Sequence, residues 1–251
     1  MSDSDLGGEV KLGSMLFTMV EPHRGHEVAY NRWYERDHFY AGCMVGPWLF
    51  AGRRWVATRA LKDLRFGTTP DLFGERDLGS YLAVYWILDG RHDDHVDWAL
   101  RQVHWLHENG RMFAERDHIH TLMYRHAWTS TRGVPPELAL DHPFGGLTAT
   151  VVELSPGVSV DDLGRWAGNL HPELELGFTP IPLPADAPVT QPRVEGHVLN
   201  LSFTSDSPAT WWAEQHVAAE RLARDGVGRM LWTAPFIPTI PGRDGYTDQL
   251  W

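Results

Sequence analysis

An acidic and an imidazole side chain, Asp37 and His38, are neighbours on what reads as the apolar face of a helix. Helical spacing over residues 26–44 places one set of side chains on a common face: Tyr30, Trp33, Tyr34, Asp37, His38 and Ala41. The opposite, solvent-facing set consists of Asn31, Arg32, Glu35 and Arg36. Burial of an ionisable group is unfavourable unless the group is paired or used in function. The pattern therefore indicates proton-transfer chemistry at His38 and Asp37.

Three residues of this face form the predicted catalytic set. Histidine exchanges a proton near neutral pH, and a neighbouring carboxylate makes it a stronger base. Tyr34 precedes His38 by about one helical turn, so its hydroxyl group would donate a hydrogen bond to a developing oxyanion. We expect His38, Asp37 and Tyr34 to be catalytic. Alternatively, Asp37 and His38 satisfy loop backbone groups near a helix end, and because adjacent helical residues diverge by about 100°, they need not touch.

Several neighbouring residues are candidates for substrate binding. Arg53 and Arg54 occupy consecutive positions of a predicted strand and should point to opposite faces of the sheet. An inward arginine would bind a carboxylate or phenolate substrate, although an ion pair, for example with Asp37, is favoured. His107 should face inward from the second helix together with Val96, Leu100 and Val103. The complete predicted substrate-binding set is Tyr30, Trp33, Arg53, Arg54, Trp86 and His107.

Metal and cysteine chemistry receive little support. His118, His120 and His126 alternate along a predicted strand and should share one face. However, His120 and His126 would lie about 20 Å apart at roughly 3.3 Å per residue, which is too far for one ion. A His-x-His pair without a third ligand is a weak metal signal, so we expect no metal. Cys43 is the single cysteine, so an intramolecular disulfide is excluded, and we expect Cys43 to pack rather than react.

Bulk composition narrows the function classes. The chain has 251 residues, a hydrophobic fraction of 43% and a net charge of −11, which argues against nucleic-acid binding. The acidic N-terminus does not resemble a signal peptide, and no apolar run approaches the roughly 20 residues of a membrane span. We expect a cytoplasmic protein. The 12 Trp and 14 His residues indicate an aromatic-lined pocket, a subunit interface, or both.

Hydrophobic periodicity predicts the same order of elements twice. The first run has strands at 14–21, 48–59, 80–90 and 118–128, helices at 26–44 and 93–113, and a loop at 63–79. The second has strands at 147–155, 178–184, 194–205 and 228–237 and helices at 160–170 and 207–226. A β-bulge is expected at Gly52. This order predicts an α+β protein with two tandem ferredoxin-like (β-α-β-β-α-β) units, whose antiparallel sheets pack as a single-chain α/β barrel. The expected division is a flexible N-terminus at 1–13, unit 1 at 14–129, a linker at 130–146, unit 2 at 147–238 and a C-terminal arm at 239–251.

The region around the first helix resembles the dimeric α/β-barrel superfamily, in particular its EthD-like and stress-responsive members. The matching residues are Tyr30, Trp33-Tyr34, His38, Gly46-Pro47 and Arg53-Arg54. The resemblance implies a ligand cavity between the helices and the sheet of one unit, lined by the inward face of the first helix. The corresponding second-half helix lacks the Tyr, Trp, Asp and His face, so a single site is expected in the first half.

The leading functional hypothesis is a cofactor-independent enzyme that performs proton transfer on a hydrophobic aromatic or polyketide-like carbonyl compound, by isomerisation, cyclisation or dehydration. Alternatives are a cofactor-free monooxygenase acting on phenols and a non-catalytic ligand-binding barrel. A further alternative is a haem protein similar to chlorite dismutase, with His171 or His216 as the candidate iron ligand. A homodimer is expected because Trp98 and Trp105 form a stripe on the second helix and the Pro-rich tail reads as an arm.

Overall fold

A computed structural model describes residues 9–67, 70–168, 170, 172–182 and 196–251. Its strands are β1 Leu12–Pro22, β2 Leu49–Val56, β3 Phe66–Gly67, β4 Tyr81–Leu88, β5 Arg116–Thr131, β6 Gly146–Leu154, β7 Leu174–Pro180, β8 His197–Thr204 and β9 Gly228–Pro238. The α-helices are α1 Glu27–Trp33, α2 Arg59–Leu64, α3 Pro70–Phe73, α4 His92–Glu108, α5 Val160–Ala167 and α6 Trp212–Arg224. A π-helix, Tyr34–Met44, continues directly from α1, and short 3₁₀ helices lie at Pro136–Leu138, Pro208–Trp211 and Thr247–Gln249.

Eight of these strands close into an antiparallel barrel. The order around the barrel is β2-β4-β1-β5-β7-β8-β6-β9, and β9 returns to β2 through the pairs Trp55–Pro238 and Val56–Ile237. The two-residue strand β3 adds to β9. Within residues 12–131, here called the first half, the strands run β5-β1-β4-β2, and within residues 146–238, the second half, they run β9-β6-β8-β7. Closure leaves neither half with a long open sheet edge.

The barrel interior is filled by apolar side chains. Strand residues alternate between the interior and the outside, and each of the eight strands contributes buried side chains to one interior cluster. Large members of it include Phe17, Trp55, Trp86, Phe178 and Phe203. Burial of each such side chain stabilises the fold by roughly 1.5–3 kcal/mol. The interior is thus a packed core, and a ligand cavity is expected on the outer faces of the sheet.

Two further apolar clusters lie outside the barrel, one for each half. In the first half, α1 and the π-helix cover a tyrosine-rich cluster that includes Tyr30, Tyr34 and Tyr85. In the second half, α5 and α6 cover a smaller cluster around Leu163, Trp166 and Leu222. The second-half helices therefore lie over the sheet in the manner expected from their apolar faces.

Local interactions explain the position of α5. Ser159 and Asp162 form a reciprocal capping box: the Asp162 amide donates to Ser159 Oγ (3.1 Å), and the Ser159 amide donates to Asp162 Oδ2 (2.9 Å). Two glycines then admit the Trp128 ring between α5 and β7. A Cβ atom on Gly164 would lie 2.8 Å from Trp128, and one on Gly177 would lie 2.0 Å from it. Side chains at either glycine would push α5 away from the sheet.

Several boundaries differ from the sequence-based expectations. The predicted loop at 63–79 contains the end of α2, β3 and α3, and the strand predicted at 178–184 is β7, Leu174–Pro180. The strand irregularity lies between Leu49 and Ala51 rather than at Gly52. Gly52 instead provides space, since a Cβ atom there would lie 2.6 Å from Tyr85 and 2.7 Å from Met44. Strand β1 begins at Leu12, inside the predicted flexible segment 1–13, and residues 1–8 lie outside the described residues.

The predicted helix at 26–44 changes type at Tyr34. From there the backbone follows the wider π pattern, as in the hydrogen bond from the Val45 amide to the Tyr40 carbonyl oxygen (3.1 Å), five residues apart. A wider turn shifts each side chain around the axis, so a face counted at 3.6 residues per turn is not kept.

The C-terminal arm (239–251) lies on α1 and the π-helix of its own chain. None of the helices described is both long and apolar enough to cross a membrane.

Candidate functional site

The predicted catalytic pair does not form a unit. The Asp37 carboxylate accepts two hydrogen bonds from Arg111, one of them from Nε at 3.3 Å, and about one third of each side chain of this pair is exposed. His38 instead stacks on Trp33, with ring centroids 4.5 Å apart, and lies edge-on to Tyr34. The partner of Asp37 is therefore an arginine on the α4–β5 connection, not His38.

The His38 side chain is tightly packed, and its imidazole is neutral at pH 7. Burial and the nearby charge of Arg116 lower the pKa of its imidazole to about 4, with Asp37 acting in the opposite direction. Its Nδ1 atom is buried without a hydrogen-bond partner among the described residues. Gly42 makes the space for the ring, since a Cβ atom there would lie 2.7 Å from His38 Cε1. The catalytic role of His38 stays a prediction.

Tyr30 and Tyr34 are buried as the periodicity predicted, but in a filled layer. The Tyr34 and Tyr85 hydroxyl groups are 2.9 Å apart, and burial raises the pKa of Tyr34 well above its ordinary value. Trp33 is half-buried and donates Nε1 to the Arg111 carbonyl oxygen (3.0 Å). Cys43 is buried here as well, and burial raises the pKa of its thiol to about 12. These residues are therefore packed against one another in the layer between the helices and the sheet.

The face predicted to meet solvent is partly interior. Asn31 is fully buried, and the Glu35 side chain is 10% exposed. Both contact the buried Arg54: Arg54 NH1 donates to Asn31 Oδ1 (3.0 Å) and lies 3.5 Å from Glu35 Oε1. Tyr246 of the C-terminal arm reaches the same group, donating to Asn31 Oδ1 (3.3 Å) and Glu35 Oε1 (3.4 Å). The expectation that Asn31 and Glu35 face solvent was wrong, because the arm covers this side of α1.

The two strand arginines point to opposite faces, as predicted. Arg54 lies under α1, whereas Arg53 donates to the carbonyl oxygens of Leu140 (3.4 Å), His142 and Phe144 (3.3 Å). Arg53 therefore ties the connection between the two halves to one end of the barrel. These hydrogen bonds give Arg53 a structural role rather than a role in ligand binding.

The remaining first-half candidates are dispersed. Trp86 is fully buried in the barrel interior, where its Nε1 donates to the Pro136 carbonyl oxygen (3.1 Å). His107 is exposed, and so are Leu100 and Val103, because α4 turns His95 and Leu106 inward instead. The expected inward face of α4 was wrong.

Trp98 and Trp105 do not form one exposed stripe on α4. Trp98 is half-buried, and a Cβ atom on Gly46 would lie 2.4 Å from its ring, whereas Trp105 is 47% exposed.

A bulge between Met19 and Val20 pairs His120 with Met19 and His118 with Val20. This places His120 in the interior and His118 on the outer side, so the three strand histidines do not share a face. Within the described residues, no three His, Cys, Asp or Glu side chains form a metal-binding group.

A cavity of about 260 Å³ lies in the second half, between the sheet and the helices α5 and α6. Its floor is the outer face of β6, β7 and β8 and is polar: Thr148, Thr150, Glu175, Asn200, Ser202 and Thr204. Its opposite wall is largely apolar and includes Leu163, Trp166, Trp211 and Ala218. Trp166 is fixed by the hydrogen bond from its Nε1 to Asp225 Oδ2 (2.9 Å). A mostly apolar wall with a few convergent polar groups is typical of small-molecule sites.

Glu175 is the chemically distinctive residue of this cavity. Its side chain is buried, and burial raises the pKa of its carboxyl group to about 8, while hydrogen bonds from Ser202 and Asn200 act in the opposite direction. Asn200 Nδ2 donates to Glu175 Oε1 at 3.4 Å. Glu175 Oε2 and Asn200 Oδ1 are both buried without a hydrogen-bond partner among the described residues. A protonated carboxyl group can donate through one oxygen, and the amide oxygen can accept, so these two lining residues hold an unused donor and an unused acceptor.

A second depression, lined by Asp37, Tyr40, Gln102, Trp105 and Arg111 among others, lies between the π-helix and α4. Its one acidic residue is already paired with Arg111, and none of its lining side chains is among the buried polar groups that lack a partner. The second-half cavity is therefore the better candidate site. Perturbed titratable groups in a cavity are enriched at functional sites.

Sequence reasoning missed this site although a signal was present. Glu175 and Asn200 are polar residues flanked on both sides by apolar ones, in the segments LELGF and VLNLSF. The strand predicted at 178–184 excluded Glu175 and so hid its position opposite Ser202 and diagonal to Asn200, which pairs with Gly177. A polar residue flanked by apolar ones in a buried strand would have indicated it.

Comparison with known proteins shows the fold. No family model and no curated protein sequence matches the chain. Among solved structures, a "putative chlorite dismutase" superposes with a TM-score of 0.53 at 11% identity, covering 96% of this chain and 100% of the other. An anthrone oxidase-like protein gives 0.52 at 10% identity, with 93% and 95% covered. A "putative monooxygenase" from Fusobacterium nucleatum gives 0.51 at 8% identity, with 92% and 93% covered. The chain has a ferredoxin-like α+β barrel fold. At these identities the likeness carries no residue roles to this chain.

The described residues of the second-half cavity do not fit a haem. Protein ligands of haem iron are His, Cys, Met or Tyr side chains. Among the described lining residues Met230 alone is of these types, and its sulfur already accepts a hydrogen bond from Thr233 Oγ1 (3.9 Å). His216 is exposed and stacks on Phe66, with ring centroids 4.2 Å apart. A floor with a buried carboxyl and an amide group also suits a polar ligand better than a flat macrocycle. His171 lies outside the described residues.

Proposed function

We propose that the chain is an enzyme that binds a small hydrophobic or aromatic carbonyl compound in the second-half cavity and catalyses proton transfer on it without a cofactor. The observation that carries the proposal is the buried Glu175 carboxyl group, which has one unpartnered oxygen and lines a cavity of about 260 Å³. This volume is slightly below the roughly 300–1,000 Å³ of sites for drug-sized molecules, so the ligand should be small. A monocyclic or bicyclic compound suits it.

The roles of the residues follow from their chemistry. With a pKa of about 8, Glu175 is protonated at neutral pH and is suited to act as a general acid toward a carbonyl oxygen. Asn200 holds the carboxyl group by its Nδ2 donor and leaves its own Oδ1 for an enol or hydroxyl hydrogen of the ligand. Trp166 and Trp211 supply the apolar wall against which the body of the ligand packs. When Glu175 gives its proton to the carbonyl oxygen, solvent water accepts the α-hydrogen and the enol forms. On ketonisation water returns a proton to carbon and the enol hydroxyl group returns its proton to Glu175, so the net result is exchange or isomerisation.

Exchange of carbonyl α-hydrogens for deuterium tests the proposal without knowledge of the natural substrate. Phenylacetone and α-aminoacetophenone in D₂O are followed by proton NMR with and without protein. We expect catalysed exchange that falls about 10²–10⁴-fold in Glu175→Gln, the range typical of a lost general acid. The rate should also fall as the pH rises above about 8, where the carboxyl group ionises.

Glu153→Gln is the matched control because Glu153 lies on strand β6 of the same half and pairs with Arg229 on the surface (2.8 Å). Full exchange activity in Glu175→Gln would contradict the proposal. Oxygen consumption with anthrone in place of exchange would favour the alternative reading, cofactor-free oxygenation of a phenolic compound. Binding of carbonyl compounds without either activity would favour a ligand-binding barrel. A Soret band in protein purified with haem present would favour the haem alternative.

We also propose that the two halves are tandem ferredoxin-like units of the EthD-like type. The strand orders β5-β1-β4-β2 and β9-β6-β8-β7 support this, because each places the first strand of its half between the third and fourth strands of that half. Each half also has helices on the outer face of its strands. Expression of residues 1–145 and 146–251 as separate chains, followed by their reassociation, tests whether each half folds as a unit.

A further inference from the structure

We infer that the second-half cavity selects a cationic ligand: a compound with an aromatic or alkyl body and an amino group that is charged at neutral pH. The inference rests on the proposed function in taking this cavity as the ligand site. It concerns the class of ligand, which the proton-transfer proposal leaves open.

The described residues that line the cavity include acidic side chains and no basic ones. Besides Glu175, three acidic residues line the cavity: Glu173, Asp206 and Glu214. None of the described lining residues is a Lys, Arg or His. Asp206 and Glu214 are exposed, which places them at the mouth of the cavity rather than on its floor. An anionic ligand would meet like charges on entry, and a cation would meet opposite ones.

No arginine among the described residues neutralises these carboxylates. No ion pair of Asp206 or Glu214 is found among the described residues, and Glu173 is bonded to the amide (2.6 Å) and hydroxyl group (2.9 Å) of Ser205 instead. Of the arginines on α5 and α6, Arg165 pairs with Asp162, Arg221 lies 3.4 Å from Asp225, and Arg224 is not among the lining residues. Arg132 on the adjoining loop donates to the Leu170 carbonyl oxygen (3.4 Å) and is not a lining residue.

The aromatic and apolar lining residues suit a ligand with an aromatic or alkyl body. Two indole side chains, Trp166 and Trp211, line the cavity together with Leu163 and Met230. Indole faces attract ammonium groups as well as apolar groups. The polar floor adds independent evidence for a ligand, because Glu175 and Asn200 are 3% and 4% exposed and each has an oxygen without a partner among the described residues. Aromatic walls, an acidic mouth and a buried acceptor together fit an amine better than an acid.

Binding of three probes of similar shape and different charge tests the inference. Phenethylamine, phenylacetamide and phenylacetate are titrated into the full chain by isothermal calorimetry at pH 7. We expect phenethylamine to bind at least tenfold more tightly than phenylacetamide and phenylacetate to bind most weakly. The preference should fall below threefold in the double variant Asp206→Asn/Glu214→Gln. Both residues are exposed, so folding of this variant is not at risk.

A control separates local charge from the field of the whole chain, which carries a net charge of −11. Glu220 is exposed on the same helix α6 and does not line the cavity, so Glu220→Gln should keep the tenfold preference. Equal loss of preference in both variants, or tighter binding of phenylacetate than of phenethylamine, would overturn the inference. Ala218→Leu narrows the cavity and should weaken all three probes. Failure of every probe to bind, or no effect of Ala218→Leu, would instead overturn the site itself.

Discussion

Replacement of Glu175 by glutamine should change how the stability of the protein depends on pH. Glutamine has nearly the same shape and cannot ionise, so the substitution keeps the packing on β7 and removes one titration. Burial raises the pKa of the Glu175 carboxyl group from 4.5 to about 8 in the folded protein. In the unfolded chain the group is exposed to water and returns to its ordinary value.

The sign of the effect follows from proton binding. Between pH 4.5 and 8 the folded protein keeps the Glu175 proton while the unfolded chain releases it. Stability therefore falls as the pH rises through this window, and the favourable contribution is complete only below about pH 4.5. Because one pKa unit corresponds to about 1.4 kcal/mol, wild-type protein should lose about 4 kcal/mol relative to Glu175→Gln by pH 8. For a chain of this size that is a relative change in Tm of roughly 10 °C.

Urea denaturation followed by tryptophan fluorescence measures the effect at pH 5, 6, 7 and 8. The informative quantity is the difference in unfolding free energy between variant and wild type. Buried histidines such as His38 and His120 also titrate, with pKa values lowered to about 4, but they are common to both proteins and cancel. Glu153→Gln on the protein surface should give a nearly flat difference. A flat difference for Glu175→Gln as well would mean that Glu175 is ionised in the folded protein, and the assignment of a neutral acid would be refuted.

Three further substitutions test the rest of the structure. Arg54→Ala should lower the unfolding free energy by about 3–5 kcal/mol in urea, because it leaves Glu35 buried without its cation, whereas Arg32→Ala, in the exposed pair with Asp244, should cost less than about 1 kcal/mol. His38→Ala should leave catalysed exchange within about twofold of wild type and cost about 1–2 kcal/mol of stability; loss of turnover with intact binding in the second-half cavity would return the site to the first half. If the expected homodimer forms through the exposed side of α4, where Leu100 is 58% exposed, light scattering should show a dimer in wild type and a monomer in Leu100→Glu; a monomeric wild type contradicts that expectation.

The parts of the fold that follow from sequence are those set by short-range apolar alternation. Strands β1, β4, β6, β8 and β9 lie within a few residues of their expected positions because their inward residues fill one core. The opposite orientation of Arg53 and Arg54 follows from the same period of two. These features depend on the local pattern alone, which is why they could be predicted.

Features that depend on contacts distant in sequence could not be predicted. Asn31 and Glu35 read as solvent-facing, yet both are buried because Tyr246 and Asp244 return from more than 200 residues away to cover them. The π-helix is another example, since its wider turn moves Asp37 toward Arg111 and leaves His38 against Trp33. A face drawn at 3.6 residues per turn contains no information about either event.

The same helix–sheet space is used differently in the two halves. In the first half it is occupied by tyrosines and by Arg54, and the C-terminal arm closes it from outside. In the second half the floor has short polar side chains, Thr148, Thr150 and Ser202, where the first half has large aromatic ones such as Tyr81 and Tyr85. Short side chains leave volume between the sheet and the helices, and large ones remove it. The aromatic residues that drew attention to Asp37 and His38 are therefore the residues that fill the first half, and the less conspicuous second half keeps the room in which Glu175 can meet a ligand.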